Sequence, residues 1–397
     1  MKYLHVSDLH LGLKTDGRDR LDEQRAIMAE LVTICQTQAV DVVLLAGDIF
    51  QNSVPSAEAE DLFVATIERL AGKQERVVCV IAGNHDDPER LRAILPLAMK
   101  HNIFICTNLE ETFQVAPQTG RVQVTDAGKG YITIKKDDDV AVIGFLPYVS
   151  DTRMHTLPVQ GLPYDEKVVA YAQMVGAHFK KDAFSCLLAH LYARNARTFG
   201  ENANEQDNRI GELLSVDVQD LPHADYIALG HIHTYQCVHK RSHAYYSGSC
   251  IEMQYNDSKK GVVLFEGTAK TGVKNVQFLP LQSVSPLKTL VVRSYEEAVQ
   301  VLQNEPAQTL IELTFVQDKP LSSSMIKELK NTFPQIVTIR LELLRLQREN
   351  SEEISYRKQM TSEELFQAFY TKIRGVEPKP ELVEMFATLM EGTDEAN

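Results

Sequence analysis

Residues 42–48 read VVLLAGD, a run of five apolar residues that ends in a glycine and an aspartate. Five apolar residues make a typical buried strand, and glycine before a polar residue is typical of the point where a strand opens into a loop. Residues 3–10, YLHVSDLH, repeat this arrangement with an aspartate and a histidine after the apolar run. Apolar runs that end in polar side chains indicate a layered α/β domain whose functional groups meet at one edge of a sheet.

The same pattern continues to residue 285. Further apolar runs of strand length occupy residues 77–82, 140–146, 186–189 and 226–229. Apolar side chains at helical spacing predict helices over residues 21–37, 57–71 and 168–179, which we expect to cover the sheet. Shorter runs at residues 261–266 and 273–281 favour an antiparallel continuation of the sheet.

Two further regions follow. Ser and Pro at residues 283–286 indicate a linker, so we divide the chain into domains 1–285, 286–346 and 347–397. The order strand, helix, strand, helix, strand predicts a small α+β domain over residues 286–346, with Ser294 and Glu297 as a helix-capping box. The tail predicts two amphipathic helices, which could bind a partner or pack on their own domain.

Composition restricts the function classes. With 397 residues the chain is long enough for two or three domains, and 44% hydrophobic residues are typical of a globular protein. The net charge of −13 opposes a uniformly basic nucleic-acid coat, although it leaves room for a local phosphate-binding groove. The first apolar run is too short for a signal peptide and no later run is long enough to cross a bilayer, so we expect a cytoplasmic protein.

Polar clusters with metal-ligand side chains follow five of the predicted strands. They are Asp8-Leu9-His10, Gly47-Asp48, Gly83-Asn84-His85-Asp86, His190 and Gly230-His231-Ile232-His233. Any one of them could be an ordinary turn or a buried histidine, but together they predict a metal centre. Imidazole, carboxylate and amide ligands without thiolate favour Mn²⁺, Fe or Zn²⁺ over Ca²⁺.

Seven candidate ligands suit two ions better than one, with Asp48 as a possible bridge, and two such ions favour phosphoester hydrolysis. We expect Gly47, Gly83 and Gly230 to act as pivots that tolerate positive φ. The remaining histidines, such as His5 within its strand, are better explained as structural or solvent-exposed residues.

These motifs resemble those of the calcineurin-like metallophosphoesterase superfamily, and their form Ser-Asp-Leu-His-Leu-Gly is similar to its DNA nucleases. The resemblance implies a metallophosphoesterase β-sandwich flanked by helices, followed by a small α+β cap domain and C-terminal helices. The sequence departs from the family pattern at Gln51, where the family often has an aspartate.

The resemblance also implies a role for each ligand. Asp8, His10, Asp48 and His233 would hold one Mn²⁺, and Asp48, Asn84, His190 and His231 would hold the other. His85 would be the catalytic residue that contacts the scissile phosphate without binding metal.

The implied activity is Mn²⁺-dependent cleavage of double-stranded DNA ends and hairpins. The implied processes are DNA repair, recombination and replication, and the implied location is the nucleoid. An SMC-like ATPase would bind the C-terminal helices, and the cap would position DNA, within a heterotetramer that contains a homodimer of this chain. Basic residues near the ligand motifs could contact DNA phosphates, namely Lys14, Arg18, Arg20, Arg194 and Arg197.

Two alternatives stay open. The metal ligands alone would also suit a phosphomonoesterase or a hydrolase of small cyclic phosphodiesters. A scaffold that has lost catalysis is disfavoured, because such a protein would be expected to have lost at least one ligand.

Overall fold

The computed structural model describes residues 1–150, 161–194, 196–197, 214–282 and 284–342, with isolated positions between 366 and 383. The chain divides into two compact units, Met1–Lys288 with Gln308–Ile311, and Thr289–Ala307 with Glu312–Asn397. The predicted tail helices lie almost entirely outside the described residues. The assignment of separate nuclease, capping and partner-binding domains stays a prediction.

The elements alternate along the chain as expected for an α/β protein. The described helices are α1 (Leu21–Thr37), α2 (Ala57–Ala71), α3 (Pro88–Arg92), α4 (Leu95–Ala98), α5 (Tyr164–Gly176), α6 (Tyr295–Gln303) and α7 (Ser323–Thr332), with 3₁₀ turns at Met99–His101 and Val218–Asp220. The strands are β1 (Lys2–Val6), β2 (Lys14–Thr15), β3 (Arg18–Asp19), β4 (Val42–Ala46), β5 (Val77–Ile81), β6 (Ile103–Cys106), β7 (Gln123–Gly128), β8 (Tyr131–Lys136), β9 (Asp139–Leu146), β10 (Phe184–His190), β11 (Tyr192–Ala193), β12 (Ser215–Val216), β13 (Tyr226–Gly230), β14 (Gln236–His239), β15 (Ala244–Tyr246), β16 (Gly261–Thr268), β17 (Gly272–Pro280), β18 (Leu287–Val292), β19 (Leu310–Val316) and β20 (Ile336–Glu342).

Two large sheets form the first unit. One has the order β17-β16-β1-β4-β5-β6, and the other has the order β14-β15-β13-β10-β9-β8-β7. In the first sheet β1, β4, β5 and β6 are parallel, while β16 pairs antiparallel with β1 and with β17. In the second sheet β9, β10, β13 and β15 are parallel. This mixed topology confirms the predicted antiparallel continuation after the parallel strands.

The sheets pack face to face around a shared apolar core. Tyr226 of the second sheet stacks on Phe265 of the first, with ring centroids 3.8 Å apart. Tyr3 and Phe184 make a second contact across the layers, with centroids 5.3 Å apart. The first unit is therefore a β-sandwich, as predicted for this part of the chain.

Helices cover the outer faces of the sandwich. α1 and α2 bury their apolar sides against the first sheet, and α5 buries Val168 and Tyr171 against the second. α2 begins where the Ser56 hydroxyl accepts a hydrogen bond from the Ala59 N–H at 3.3 Å, and it ends at Gly72 with a φ of +57°. These caps satisfy backbone groups that helix ends leave unpaired.

Several boundaries differ from the prediction. α5 lies four residues earlier than expected at its start, because Pro163 directly precedes its first turn. The strands β6, β7 and β8 were not predicted. They extend both sheets at their edges.

The second unit is built on a three-stranded sheet with the order β18-β19-β20. Ser294 caps α6 by accepting from the Glu297 N–H at 3.1 Å, as predicted. The Glu297 carboxylate accepts from the Arg293 N–H at 2.8 Å, one residue before the position that a capping box requires. Among the described residues, no helix has the length and apolar character needed to cross a membrane.

Candidate metal centre

The ends of parallel strands from both sheets converge on one site. β1, β4 and β5 lead into it from the first sheet, and β10 and β13 lead into it from the second. Backbone hydrogen bonds join the loops after β1 and β4, among them those from the Asp8 N–H to the Gly47 carbonyl and from the His10 N–H to the Asp48 carbonyl, both at 3.0 Å. The strand ends therefore bring together side chains that are far apart in sequence.

Two groups of potential ligands share one aspartate. Asp8, His10, Asp48 and His233 form the first group, and Asp48, His190 and His231 form the second. Within each group the ligand atoms lie within 4.8 Å of one another. Asp48 belongs to both groups, so its carboxylate is placed where it could bridge two cations.

Asn84 adds an amide oxygen to the second group. Its Oδ1 lies 2.9 Å from His190 Nε2 and 2.9 Å from His231 Nδ1. The structure therefore places all seven of the predicted ligands at one site.

The histidine nitrogens face one another across short distances. His10 Nε2 lies 3.2 Å from His233 Nε2, and Asp48 Oδ2 lies 3.7 Å from His10 Nε2 and 3.6 Å from His190 Nε2. The opposite side of the His190 ring is fixed, because its Nδ1 lies 2.8 Å from the Ala46 carbonyl and must donate to it. Such a bond makes Nε2 the nitrogen that carries the lone pair, as a metal ligand requires.

Burial favours the neutral form of His10, His231 and His233. It lowers the pKa of His231 and of His233 to about 4, with smaller effects from His190 and Lys260 respectively. Burial and then the nearby His233 also lower the pKa of His10. Neutral imidazole is the form that binds metal.

The carboxylates have the opposite shift. Burial raises the pKa of Asp8 and of Asp48, and the Asp48 charge raises the pKa of Asp8 further. Two buried carboxylates side by side are costly unless cations neutralise them. The donor set and its burial thus fit a pair of divalent cations.

The ligands themselves adopt strained backbone conformations. Their φ values are 53° for Asp8, 46° for His10, 49° for Asp48 and 106° for His231. Non-glycine residues rarely adopt positive φ, and such strain concentrates at functional sites. Apolar periodicity carries no signal for it, so the sequence analysis missed it.

The predicted glycine pivots need a correction. Gly47 has a φ of 86°, as expected, but Gly83 and Gly230 do not have positive φ. They are required for space, because a Cβ at Gly83 would overlap the Asp48 carboxylate and a Cβ at Gly230 would overlap the Ala46 carbonyl.

His85 lies beside the ligands but outside both groups. Its N–H donates to Asp48 Oδ1 at 2.9 Å, and its ring meets His10 edge to face with centroids 4.9 Å apart. His85 Nδ1 lies 2.8 Å from the Gln51 carbonyl, which can only accept. The Nδ1 proton is therefore held there, and Nε2 is the nitrogen available for chemistry.

Asp86 has a role that the sequence analysis missed. Its buried carboxylate accepts hydrogen bonds from the N–H groups of Ile49, Phe50 and Gly83 at 3.1, 2.9 and 2.8 Å. Burial, followed by the Asp48 charge, raises its pKa to about 6. Asp86 ties together the loops that carry Asp48 and Asn84. The available signal was an aspartate two residues after a candidate ligand.

The structure separates the candidate DNA contacts into two classes. Lys14, Arg18, Arg194 and Arg197 are exposed, and Arg194 lies 3.5 Å from Asp165. Arg20 is a correction, because its side chain is buried.

Arg20 donates to Glu23 Oε2 at 2.8 and 2.6 Å and to the Glu252 carbonyl at 2.8 Å. These bonds occupy its guanidinium, so Arg20 is a structural residue. His5 is also structural, as predicted. It is buried, with its ring nitrogens 3.1 Å from the Tyr226 hydroxyl and 3.1 Å from the Leu229 carbonyl.

Comparison with known proteins gives a family for this site. The calcineurin-like phosphoesterase model matches residues 1–235. The chain is 29% identical to the SbcD subunit of Nuclease SbcCD from Bacillus subtilis (strain 168), in an alignment of 410 positions that covers 100% of this chain and 99% of the relative. It is 25% identical over 350 positions to the corresponding SbcD protein of Staphylococcus epidermidis, with 85% of each protein covered. Since the matched region spans more than half of the chain and contains every candidate ligand, the chain belongs to the calcineurin-like phosphoesterase family.

Proposed function

We propose that this chain is a Mn²⁺-dependent DNA nuclease of the SbcD type, with exonuclease and endonuclease activity on double-stranded ends and hairpins. The observation that carries the proposal is the pair of ligand groups that share Asp48. The similarity to two SbcD proteins, each named as part of a nuclease, supports a nucleic-acid substrate and extends over the full chain in one of them.

The two ions share Asp48 in this proposal and otherwise have separate ligands. Asp8, His10, Asp48 and His233 hold one ion, and Asp48, Asn84, His190 and His231 hold the other. When bound, the ions supply Lewis acidity, which stabilises negative charge on the phosphate and lowers the pKa of water.

His85 supplies chemistry of its own. With the Nδ1 proton held by the Gln51 carbonyl, the doubly protonated form of the His85 ring would donate from Nε2 to the phosphate or to the leaving oxygen. Its backbone bond to Asp48 fixes its position beside the ligands.

The partners are part of the proposal. An SbcC-type ATPase would bind the helices predicted over residues 347–397, in a heterotetramer that contains two copies of this chain. Residues 286–346 would position DNA. The names of the relatives support the complex, because they describe one component of SbcCD.

The test is a cleavage assay with competing substrates. Purified full-length chain is incubated with end-labelled duplex and hairpin DNA, with and without Mn²⁺, beside a simple phosphomonoester. Metal-dependent DNA cleavage with little monoester hydrolysis is the expected result. Monoester turnover with intact DNA would instead indicate a phosphatase.

The variant Asp48→Ala is expected to lose metal binding and activity together, because it removes the one ligand common to both groups. The exposed Asp22→Ala on α1 is its control and should keep both. Unchanged hydrolysis by Asp48→Ala would refute the assigned centre.

A further inference from the structure

A buried lysine lies directly behind one of the candidate ligands. Lys260 Nζ donates to the His233 carbonyl at 2.8 Å and lies 2.9 Å from Asp257 Oδ2, and both charged side chains are 5% exposed or less. Lys260 is not a candidate ligand, and neither the motifs nor the proposed chemistry accounts for it.

Asp257 anchors this lysine to its own segment. Its carboxylate also accepts from the Met253 N–H at 2.9 Å and from the Ser258 N–H at 2.7 Å. The segment that contains Met253 and Asp257 forms one side of a cleft of about 190 Å³, and the loop that carries His231 and His233 forms the other. The Asp257–Lys260 pair therefore connects the two sides.

The charge of Lys260 has mixed effects at the site, because it opposes the raised pKa of Asp8 but adds to the lowering of the pKa of His233 by burial. A positive charge beside His233 lowers the pKa of that histidine and repels cations bound nearby. Buried ion pairs are also poor sources of stability, because desolvation offsets their attraction. What Lys260 provides is a hydrogen bond to the backbone of a ligand, beside the bond that the Ser249 N–H donates to the same carbonyl at 3.2 Å.

The second ligand group is supported separately. His190 is oriented by its own bond to the Ala46 carbonyl, and Asn84 bonds both His190 and His231. No contact with Lys260 enters these bonds, so the two groups should respond differently to its loss.

We propose that Lys260, anchored by Asp257, is a positioning residue that fixes His233 for the cation it shares with Asp8 and His10. The inference rests on the two-cation centre of the proposed function. Its consequence is that the two cation sites have separable affinities, and that the site containing His233 depends on a residue that binds no metal. Supporting groups behind metal ligands commonly alter affinity by about 10- to 100-fold.

The test titrates Mn²⁺ into the metal-free full-length chain by calorimetry, with the electron paramagnetic resonance signal of coupled Mn²⁺ as a second readout. Lys260→Met is expected to keep one site at wild-type affinity, to weaken the other by about 10- to 100-fold, and to lose the coupled signal at low Mn²⁺. Lys259→Met, at the exposed neighbouring lysine, is the matched control and should bind as wild type does.

The direction of the change in Mn²⁺ affinity distinguishes a positioning role of Lys260 from an effect of its charge. Removal of a nearby positive charge alone would tighten cation binding, so tighter or unchanged binding by Lys260→Met overturns the proposal. Asp257→Asn keeps the lysine and removes its anchor, and it decides the question if Lys260→Met does not fold. Failure of the wild-type chain to bind two Mn²⁺ would contradict the proposed function itself, whereas two wild-type sites that neither variant weakens would contradict only this inference.

Discussion

At the scale of single residues, the site is held in a conformation that its ligands would not adopt alone. Positive φ at Asp8, His10 and Asp48 costs on the order of 1–3 kcal/mol for each residue. The loops maintain it through bonds such as those from three backbone N–H groups to Asp86. The candidate ligands could be selected from the sequence because each follows an apolar run. The strained φ values and the hydrogen bonds that maintain them could not be predicted from the sequence, because they depend on contacts between separate loops.

The role of His85 can be tested by substitution. His85→Ala is expected to keep both Mn²⁺ ions and to lower turnover by about 10²- to 10⁴-fold, because it removes a donor near the phosphate and no ligand. Calorimetric Mn²⁺ titration and single-turnover cleavage of duplex DNA measure the two properties. A variant that binds only one ion would show that His85 is a ligand.

The buried His5 predicts a pH dependence of stability. Burial lowers its pKa to about 3 in the folded chain, against about 6.5 when unfolded. The unfolded chain therefore binds more protons between these values, so stability is full above pH 6.5 and falls as the pH is lowered. At pH 5 the loss from this residue is about 2 kcal/mol.

Chemical denaturation of the metal-free protein at pH 7.5 and pH 5 measures this effect. His5→Gln should reduce the difference between the two unfolding free energies by about 2 kcal/mol. His231 and His233 alter the pH dependence of the unfolding free energy in the same direction. Their contribution is the same in the wild type and in His5→Gln, so it cancels when the two proteins are compared. The exposed His101→Asn is the control, and an unaltered pH dependence in His5→Gln would contradict the expectation.

At the scale of elements, the accuracy of the sequence analysis followed the length and regularity of each pattern. The bounds of α1 and α2 were predicted to the residue, because both helices carry long apolar stripes. The hairpin β7–β8 was missed, since only Val124, Ile132 and Ile134 supply its buried apolar side. Edge strands with few buried side chains have little periodicity to detect.

The close approach of the two sheets at the site is a second element-scale feature. Gly230 at the end of β13 leaves no room for a Cβ, because the carbonyl of Ala46 at the end of β4 occupies that space. Gly230→Ala should separate the two strand ends, lower the unfolding free energy by about 1–3 kcal/mol or more, and weaken Mn²⁺ binding at both sites.

The control is Gly17→Ala, where a Cβ would meet nothing within 4 Å and only the positive φ opposes the substitution. It should cost about 1 kcal/mol and leave Mn²⁺ binding unchanged. Normal metal affinity in Gly230→Ala would show that the strand ends can separate without disturbing the ligands.

At the scale of the whole molecule, the candidate ligands and their supports lie within the first compact unit. The net charge of −13 did not preclude a candidate nucleic-acid enzyme, because exposed basic residues that follow the ligand motifs in sequence are a local feature. The tail was assigned by resemblance and by helical pattern, and physical reasoning from the sequence left its partner open.

Truncation tests the proposed assignment of the tail. A chain that lacks residues from Glu349 onward is expected to stay folded and to cleave DNA with Mn²⁺, but to lose co-elution with an SbcC-type ATPase in size-exclusion chromatography. The full-length chain is the control. An insoluble truncated chain would instead indicate that the tail packs on its own domain.

The order of strands in the first sheet has a consequence for synthesis on the ribosome. β1 lies between β4, which is made soon after it, and β16, which follows the last candidate ligand in sequence. A nascent chain carries Asp8 and His10 from the start, but His231 and His233 join them only when β13 has emerged and both sheets can close. Because domains fold as their last segments leave the ribosome, the centre is completed late. The growing polypeptide is therefore unable to cut phosphoesters until nearly all of its first unit has been translated.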